Sequence, residues 1–151
     1  MPLTVSIPRP PTHTVRCTRW AISPELGEQL CSLGNDAQED SEYEIAAQLY
    51  QQAADLGNTL GKRLLSVCYE FGTGVPQSHE KAFQLNLELA RENYGASVYY
   101  DVAAAYTDGV GTARDPEQAI YWWNRYLDTD DPKDTTRAKI LDKIAALEAE
   151  R

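Results

Sequence analysis

The sequence predicts an all-α fold, a superhelical α/α solenoid of antiparallel helix pairs, from three observations. A phrase occurs twice, as YEFGTGVPQSHEKA from Tyr69 and as YTDGVGTARDPEQA from Tyr106, 37 residues later. Apolar residues recur at helical spacing before and after each copy. A residue typical of helix starts follows each Gly-x-Gly. A period of this length with paired helices indicates a solenoid, in which each pair buries its apolar face only against its neighbours.

The helix before each phrase, here called helix A of its repeat, is expected at 58–71 and at 95–108. Gly72 and Gly109 follow these helices, at the position where a helix C-terminus needs a left-handed residue. Glycine adopts that conformation without steric cost. The Gly-x-Gly is therefore predicted to be an elbow between two helices and not a loop that holds a ligand.

The helix after each phrase, helix B, is expected at 79–92 and at 116–128. Ser78 and Asp115 are the predicted N-caps, and Pro116 suits the first helical position. The repeated apolar face is predicted to consist of Ala82, Leu85, Leu89 and Ala90 in one copy and Ala119, Trp122, Tyr126 and Leu127 in the other. Tyr121 lies off that face.

An earlier and less regular repeat is indicated upstream. Ala46, Tyr50 and Ala53 lie where a third helix B would place its apolar face. A helix that begins at Pro24 is expected to end at Gly34, because glycine after an apolar run is typical of a helix C-terminus. The stretch 24–34 is therefore predicted to be the capping half of a degenerate first repeat.

The chain divides into three predicted regions. Residues 1–22 contain four prolines and three arginines with no acid, which indicates an extended basic arm. Residues 23–131 form the solenoid. A C-terminal capping helix over 132–151 follows Asp131-Pro132, and Ile140, Leu141, Ile144 and Leu147 are its predicted apolar stripe.

The stretch AAQLYQQAADLGNTLGKRLLSVCYEFGTGVPQSHEKAF, residues 46–83, resembles the Sel-one-like repeat, a relative of the tetratricopeptide repeat. The matching residues are Ala46, Tyr50, Ala53, Ala54, Gly57, Asn58, Leu65, Tyr69, Gly72, Gly74 and Val75. The second copy keeps Tyr106, Gly109, Gly111 and Ala119, but Tyr94-Gly95 replaces the Gly-Asn. The resemblance covers roughly 40–128 and implies two clear repeats, a degenerate N-terminal one and a role in binding other proteins.

The charge is unevenly distributed along the chain. The net charge is -9, and no Lys or Arg occurs from residue 20 to residue 61. Within that stretch an acidic face is predicted at Glu39, Asp40, Glu42 and Glu44. Such a surface repels phosphate backbones, which argues against nucleic acid as a partner, and it would attract a basic protein. A solvated face that only aids solubility is the alternative.

Neither a membrane nor an exported location is expected from the sequence. No apolar run approaches the roughly 20 residues that a bilayer span needs. The proline-rich N-terminus is a poor secretory signal peptide, so a cytoplasmic location is the expectation.

Residues with catalytic or metal-binding chemistry are few. His13 and His79 are the only histidines, and no zinc-ligand spacing contains them. Cys17, Cys31 and Cys68 form no close pair and are interpreted as buried thiols. We therefore expect neither enzyme activity nor a metal or cofactor.

The candidate site is a groove that helices A would line, as in other solenoids. The residues predicted to bind a partner there are Lys62, Arg63, Glu70, Tyr99, Tyr100 and Thr107. The alternative for Tyr99 or Tyr100 is packing against helix B. Two functions remain open at this point, an adaptor or scaffold and a small inhibitor of a basic partner. The sharpest form of the inhibitor is a bacterial immunity protein that neutralises a secreted toxin, and a regulatory subunit of an enzyme is a further alternative.

Overall fold

The computed structural model describes residues 24–130 and 134–151, and it leaves the side chain of Asp134 undescribed. Within those ranges all regular structure is helical, which confirms the all-α prediction. The helices are α1 (Pro24–Glu39), α2 (Tyr43–Asp55), α3 (Thr59–Phe71), α4 (His79–Arg91), α5 (Ala96–Asp108), α6 (Pro116–Leu127) and α7 (Asp134–Ala149). The predicted basic arm at 1–22 and the predicted helix start at Asp131-Pro132 lie outside the described residues.

The helices stack as successive pairs. Helix α1 packs on α2, α3 on α4 and α5 on α6, while α2 packs on α3 and α4 on α5 to join one pair to the next. Helix α7 packs on α6 and closes the last pair. None of the helices in the described ranges is long and apolar enough to cross a membrane.

The bounds of α3 to α6 agree with the predicted ones to within one residue. Gly72 and Gly109 end α3 and α5 in the left-handed conformation, with φ of 69° and 70°, which confirms the predicted elbows. Ser78 and Asp115 cap α4 and α6, since each side chain accepts a hydrogen bond from a backbone N–H three residues on. These caps satisfy donors that a helix start would otherwise leave unpaired.

The prediction that the first helix ends at Gly34 is wrong. Helix α1 continues to Glu39, and Gly34 is buried in its interior against the ring of Tyr50. A side chain at this position would overlap that ring, so the glycine serves close helix packing and not helix termination. The left-handed residue after α1 is Ser41, with φ of 64°. The first unit is therefore a complete helix pair.

The second glycine of each phrase joins neighbouring repeats. Gly74 is left-handed and lies against the backbone carbonyl of Tyr43 at the start of α2, and Gly111 lies in the same way against His79 at the start of α4. A Cβ on either glycine would overlap that carbonyl. Each turn between helices A and B therefore packs on the start of helix B in the preceding repeat, and we call the border that these turns form the A–B edge.

The core is built mainly from small and aromatic side chains. Trp123 is fully buried, and its Nε1–H donates a hydrogen bond of 3.0 Å to Thr107 Oγ1. Ile140, Ile144 and Leu147 of α7 cover this cluster. Leu141, which was predicted to share their stripe, is instead half exposed, because it follows Ile140 and faces another side of the helix.

The buried phenol of Tyr50 makes stability depend on alkaline pH. Its hydroxyl donates a hydrogen bond of 2.7 Å to Asn35 Oδ1, and burial raises the pKa of Tyr50 to about 12, with smaller contributions from Cys68 and Cys31. In the unfolded chain this phenol ionises near pH 10. Between about pH 10 and 12 the unfolded state loses the proton while the folded state keeps it, so stability should fall by on the order of 2 kcal/mol. Urea denaturation at a series of pH values measures this fall, and Tyr50→Phe should show a shallower one; an unchanged slope in that variant would contradict the assignment.

Candidate protein-binding groove

A groove of about 280 Å³ opens between α4 and α5, bordered by the end of α3, and we call it the α4–α5 groove. Helix α4 contributes His79, Ala82, Phe83 and Asn86, which share one helix face at spacings of three and four. Helix α5 contributes Tyr100, Asp101, Ala104, Ala105 and Asp108, while Glu70 and Val110 lie at its rim. The groove therefore combines an apolar floor with several polar groups.

Asn86 gives the groove a small, polar lining residue in the second repeat. The equivalent residues of the first and third repeats are Tyr50 and Trp123, both of which are fully buried and fill the space beside their helices. Asn86 is also buried, but it is much smaller and polar. The second repeat therefore has a small polar side chain at this groove-lining position, where the other two repeats have an aromatic ring.

An ion pair closes one end of the groove. Arg63 Nη1 lies 2.6 Å from Asp101 Oδ2 and 3.1 Å from Asn86 Oδ1, so one guanidinium links α3, α4 and α5. The Arg63 side chain is mostly buried, which makes this contact more favourable than an exposed pair. Arg63 neutralises Asp101 and positions Asn86, so it borders the groove as a structural element.

Tyr100 is the exposed aromatic residue of the groove. Its side chain is 40% exposed, and its ring packs edge to face on Trp123 and on Tyr126, with centroid distances of 5.0 and 5.6 Å. These contacts fix one side of the ring and leave the other open to solvent. Because the ring is already held in place, a partner that covers it loses little additional side-chain entropy.

Two carboxylates of the groove have no ion-pair partner among the described residues. They are Glu70, at the last turn of α3, and Asp108, at the last turn of α5. His79, at the first turn of α4, lines the same groove. With Asp101 neutralised by Arg63, the unpaired charge of the groove is negative.

Three of the predicted groove residues lie elsewhere. Lys62 forms ion pairs with Glu92, just after α4, at 2.7 Å and with Glu88 of α4 at 3.5 Å, and the hydrogen bond to Glu92 raises the pKa of Lys62. Tyr99 is buried, and its ring stacks on Trp122 at 5.8 Å. Thr107 accepts the indole hydrogen bond and does not line the groove.

The alternative of packing against helix B is therefore correct for Tyr99. The ring of Tyr100 packs against helix B on one side only. Tyr99 is buried against Trp122 and Tyr100 lines the groove, so only one of these two tyrosines faces it. Glu70 and Tyr100 are the predicted residues that the fold brings together there, with Arg63 beside them.

The sequence prediction missed the contribution of helix B. It assigned the groove to helices A, whereas Phe83, Asn86 and His79 belong to α4. The signal was present in the repeat alignment, where Asn86 stands at a position that is aromatic in the other two copies. A polar residue at a repeated core position indicates a local change in packing.

The predicted acidic face forms an acidic turn at the junction of α1 and α2. Glu39, Asp40, Glu42 and Glu44 are all exposed there. This junction is the first of the A–B turns, so the acidic turn lies on the same edge of the solenoid as Glu70 and Asp108. Negative charge therefore recurs along the A–B edge.

The thiols of the described residues are packed in the core. Cys31 and Cys68 are buried, as predicted, and burial raises the pKa of both thiols. A raised pKa lowers the thiolate fraction at neutral pH, which makes these residues poor nucleophiles. The prediction for Cys17 falls outside the described residues.

A comparison with models of protein families identifies the family of this chain. The Sel1 repeat model matches residues 25–58, 60–94 and 96–125, which together make up more than half of the chain. The chain belongs to the Sel1 repeat family. The three matches correspond to the pairs α1–α2, α3–α4 and α5–α6, so the first Sel1 repeat is complete and the degenerate repeat predicted at that position is corrected. Sel1 repeats generally mediate contacts between proteins, and proteins of this family are typically scaffolds without catalytic activity.

Solved structures show the same fold. One is a protective antigen present in uropathogenic Escherichia coli strains and described as displaying an SLR fold, with a TM-score of 0.64 and 19% identity. Another is a Sel1 repeat protein from Oxalobacter formigenes, with a TM-score of 0.65 and 22% identity. The alignments cover 83% and 82% of this chain but 26% and 49% of those chains, so it spans at most half of their length. No curated protein matches the chain significantly.

Proposed function

We propose that this Sel1 repeat chain is a non-catalytic protein-binding module that takes a segment of its partner in the α4–α5 groove. The observation that carries the proposal is the half-exposed ring of Tyr100 above an apolar floor in the groove. Rigid aromatic side chains beside a recess are typical of the residues that dominate binding energy. The partner-facing residues are Tyr100, Glu70 and Phe83, with Arg63 holding the end of the groove.

Two versions of this function remain, and the number of partners distinguishes them. An adaptor or scaffold would bind two or more proteins at once. An inhibitor would bind one basic protein and abolish its activity, as a bacterial immunity protein does with a secreted toxin. The exposed acidic turn favours a basic partner in either version, because opposite charge accelerates encounter.

Replacing Tyr100 by Ala should weaken partner binding at least tenfold, because the exposed ring is a candidate hot spot. The immobilised protein is used to capture partners from a bacterial lysate, and the affinity of each recovered partner for both forms is then measured. Tyr121→Ala is the matched control, since Tyr121 is 49% exposed, packs on Trp122 and does not line the groove. Equal affinity of Tyr100→Ala and wild type for every recovered partner would reject the groove as the binding site.

The two versions are then separated with the recovered partners. Simultaneous binding of two proteins, seen as a ternary complex by size-exclusion chromatography, identifies an adaptor. Loss of a single partner's toxicity when the two genes are co-expressed identifies an immunity protein. Toxicity that persists at excess of this chain eliminates the immunity role.

A further inference from the structure

We infer that the segment that occupies the α4–α5 groove is basic, with a Lys or Arg side chain beside an apolar one. This inference rests on the proposed function and adds the chemistry of the partner. It follows from the size, the charge and the position of the groove.

The size of the groove restricts what it can hold. Pockets for drug-sized molecules usually measure about 300 to 1,000 Å³, and this groove is smaller at about 280 Å³ and open to solvent. It has room for one or two side chains of a peptide. A segment of another protein, lying across α4 and α5, fits this shape better than a free small molecule.

The surfaces of the groove select the type of side chain. Phe83, Ala104 and Ala105 offer apolar contact, and the aromatic side chains of Phe83 and Tyr100 line the groove, a residue type that attracts cations. Glu70 and Asp108 supply negative charge at the rim, and neither has an ion-pair partner among the described residues. A Lys or Arg side chain suits both the apolar and the charged surfaces of the groove, because its alkyl stem contacts apolar surface while its charged end reaches a carboxylate.

Negative charge continues beyond the groove along the A–B edge. The acidic turn of Glu39, Asp40, Glu42 and Glu44 lies on the A–B edge, as do Glu70 and Asp108. Two cations on this edge are already engaged, since Lys81 stands over the Tyr69 ring and Arg114 pairs with Glu150. A basic segment would therefore meet opposite charge in the groove and further along the edge, which favours it over an acidic segment.

A peptide-display selection on the immobilised full chain tests the inference. A library of random 12-residue peptides is the probe, and enriched peptides are synthesised and their affinities measured by fluorescence anisotropy. We expect the enriched peptides to carry Lys or Arg next to an aromatic or aliphatic residue. Their binding should weaken at least tenfold in Tyr100→Ala and should fall with rising salt.

Removal of the two groove charges gives the decisive variant. Glu70→Gln combined with Asp108→Asn should weaken these peptides on the order of tenfold and flatten the salt dependence, mostly through a slower association rate. The control Asp128→Asn with Glu148→Gln removes two exposed charges outside the groove and should change affinity less than about twofold. If the double variant loses stability, Asp108→Asn alone repeats the test, because Asp108 is exposed. This single variant should weaken peptide binding about threefold.

The outcomes separate the inference from the proposed function. Two results would overturn the inference of a basic segment and leave the groove as a binding site. In the first, the peptides depend on Tyr100 but carry no excess of basic residues. In the second, their affinity does not change when Glu70 and Asp108 are replaced. A selection that yields no peptide dependent on Tyr100 overturns both.

Discussion

Gly111→Ala should destabilise the protein by about 3 to 5 kcal/mol, several times the cost of the same change at Gly109. Both glycines are left-handed, with φ of 73° and 70°, so each alanine loses about 1 to 2 kcal/mol to backbone strain. At Gly111 the new Cβ would also overlap the carbonyl of His79, which forces the turn away from α4. At Gly109 the nearest atoms belong to Arg114 and lie 3.4 Å from the new Cβ, an ordinary contact.

Urea denaturation followed by circular dichroism measures both variants. Equal losses at the two positions would mean that the second glycine of the phrase serves only the turn and not the contact between repeats. Gly74→Ala provides an independent repetition, because Gly74 lies against Tyr43 in the same way.

Trp123→Ala should destabilise the protein by about 3 to 5 kcal/mol and should also disable the groove. The side chain is fully buried, so its loss leaves a large cavity in the third repeat. It also removes the indole donor from Thr107 and the edge contact that supports Tyr100. Tyr121→Ala, on the exposed side of the same helix, should cost less than about 1 kcal/mol.

Thermal unfolding and peptide affinity are measured on the same preparations of this pair. Trp123→Ala that remains folded should bind the selected peptides more weakly than wild type, because the Tyr100 ring has lost a supporting contact. A folded Trp123→Ala with full affinity would show that the orientation of Tyr100 does not matter for binding.

The helices and their ends could be predicted because the signals for them are local. A helix that ends at Gly72 or begins after Asp115 is specified by the conformational freedom of glycine and by a side chain that caps the nearest N–H groups. Gly34 misled the prediction because a glycine inside a helix and a glycine after one look alike in sequence. What distinguishes it is the ring of Tyr50, which approaches from another helix.

The groove was harder to predict because it depends on contacts between helices. Tyr99 and Tyr100 are neighbours in sequence, and only the direction of the neighbouring helix decides that the first is buried and the second is exposed. Lys62 and Arg63 are exposed cations by sequence, but both pair with carboxylates on other helices, Glu88 of α4 and Asp101 of α5. Asn86 lines the groove, and its difference from the other repeats appears only when it is compared with Tyr50 and Trp123.

The central claim, that the α4–α5 groove binds a protein segment, is tested most directly by mapping a bound peptide onto the backbone. The ¹⁵N-labelled protein is titrated with a selected peptide, and the amide chemical shifts are followed by NMR. We expect the largest shifts to cluster at Glu70, Phe83, Tyr100, Ala104 and Asp108, with little change at Tyr121 or on the outer face of α1. Saturable shifts confined to other surfaces, with those five amides unmoved, would contradict it.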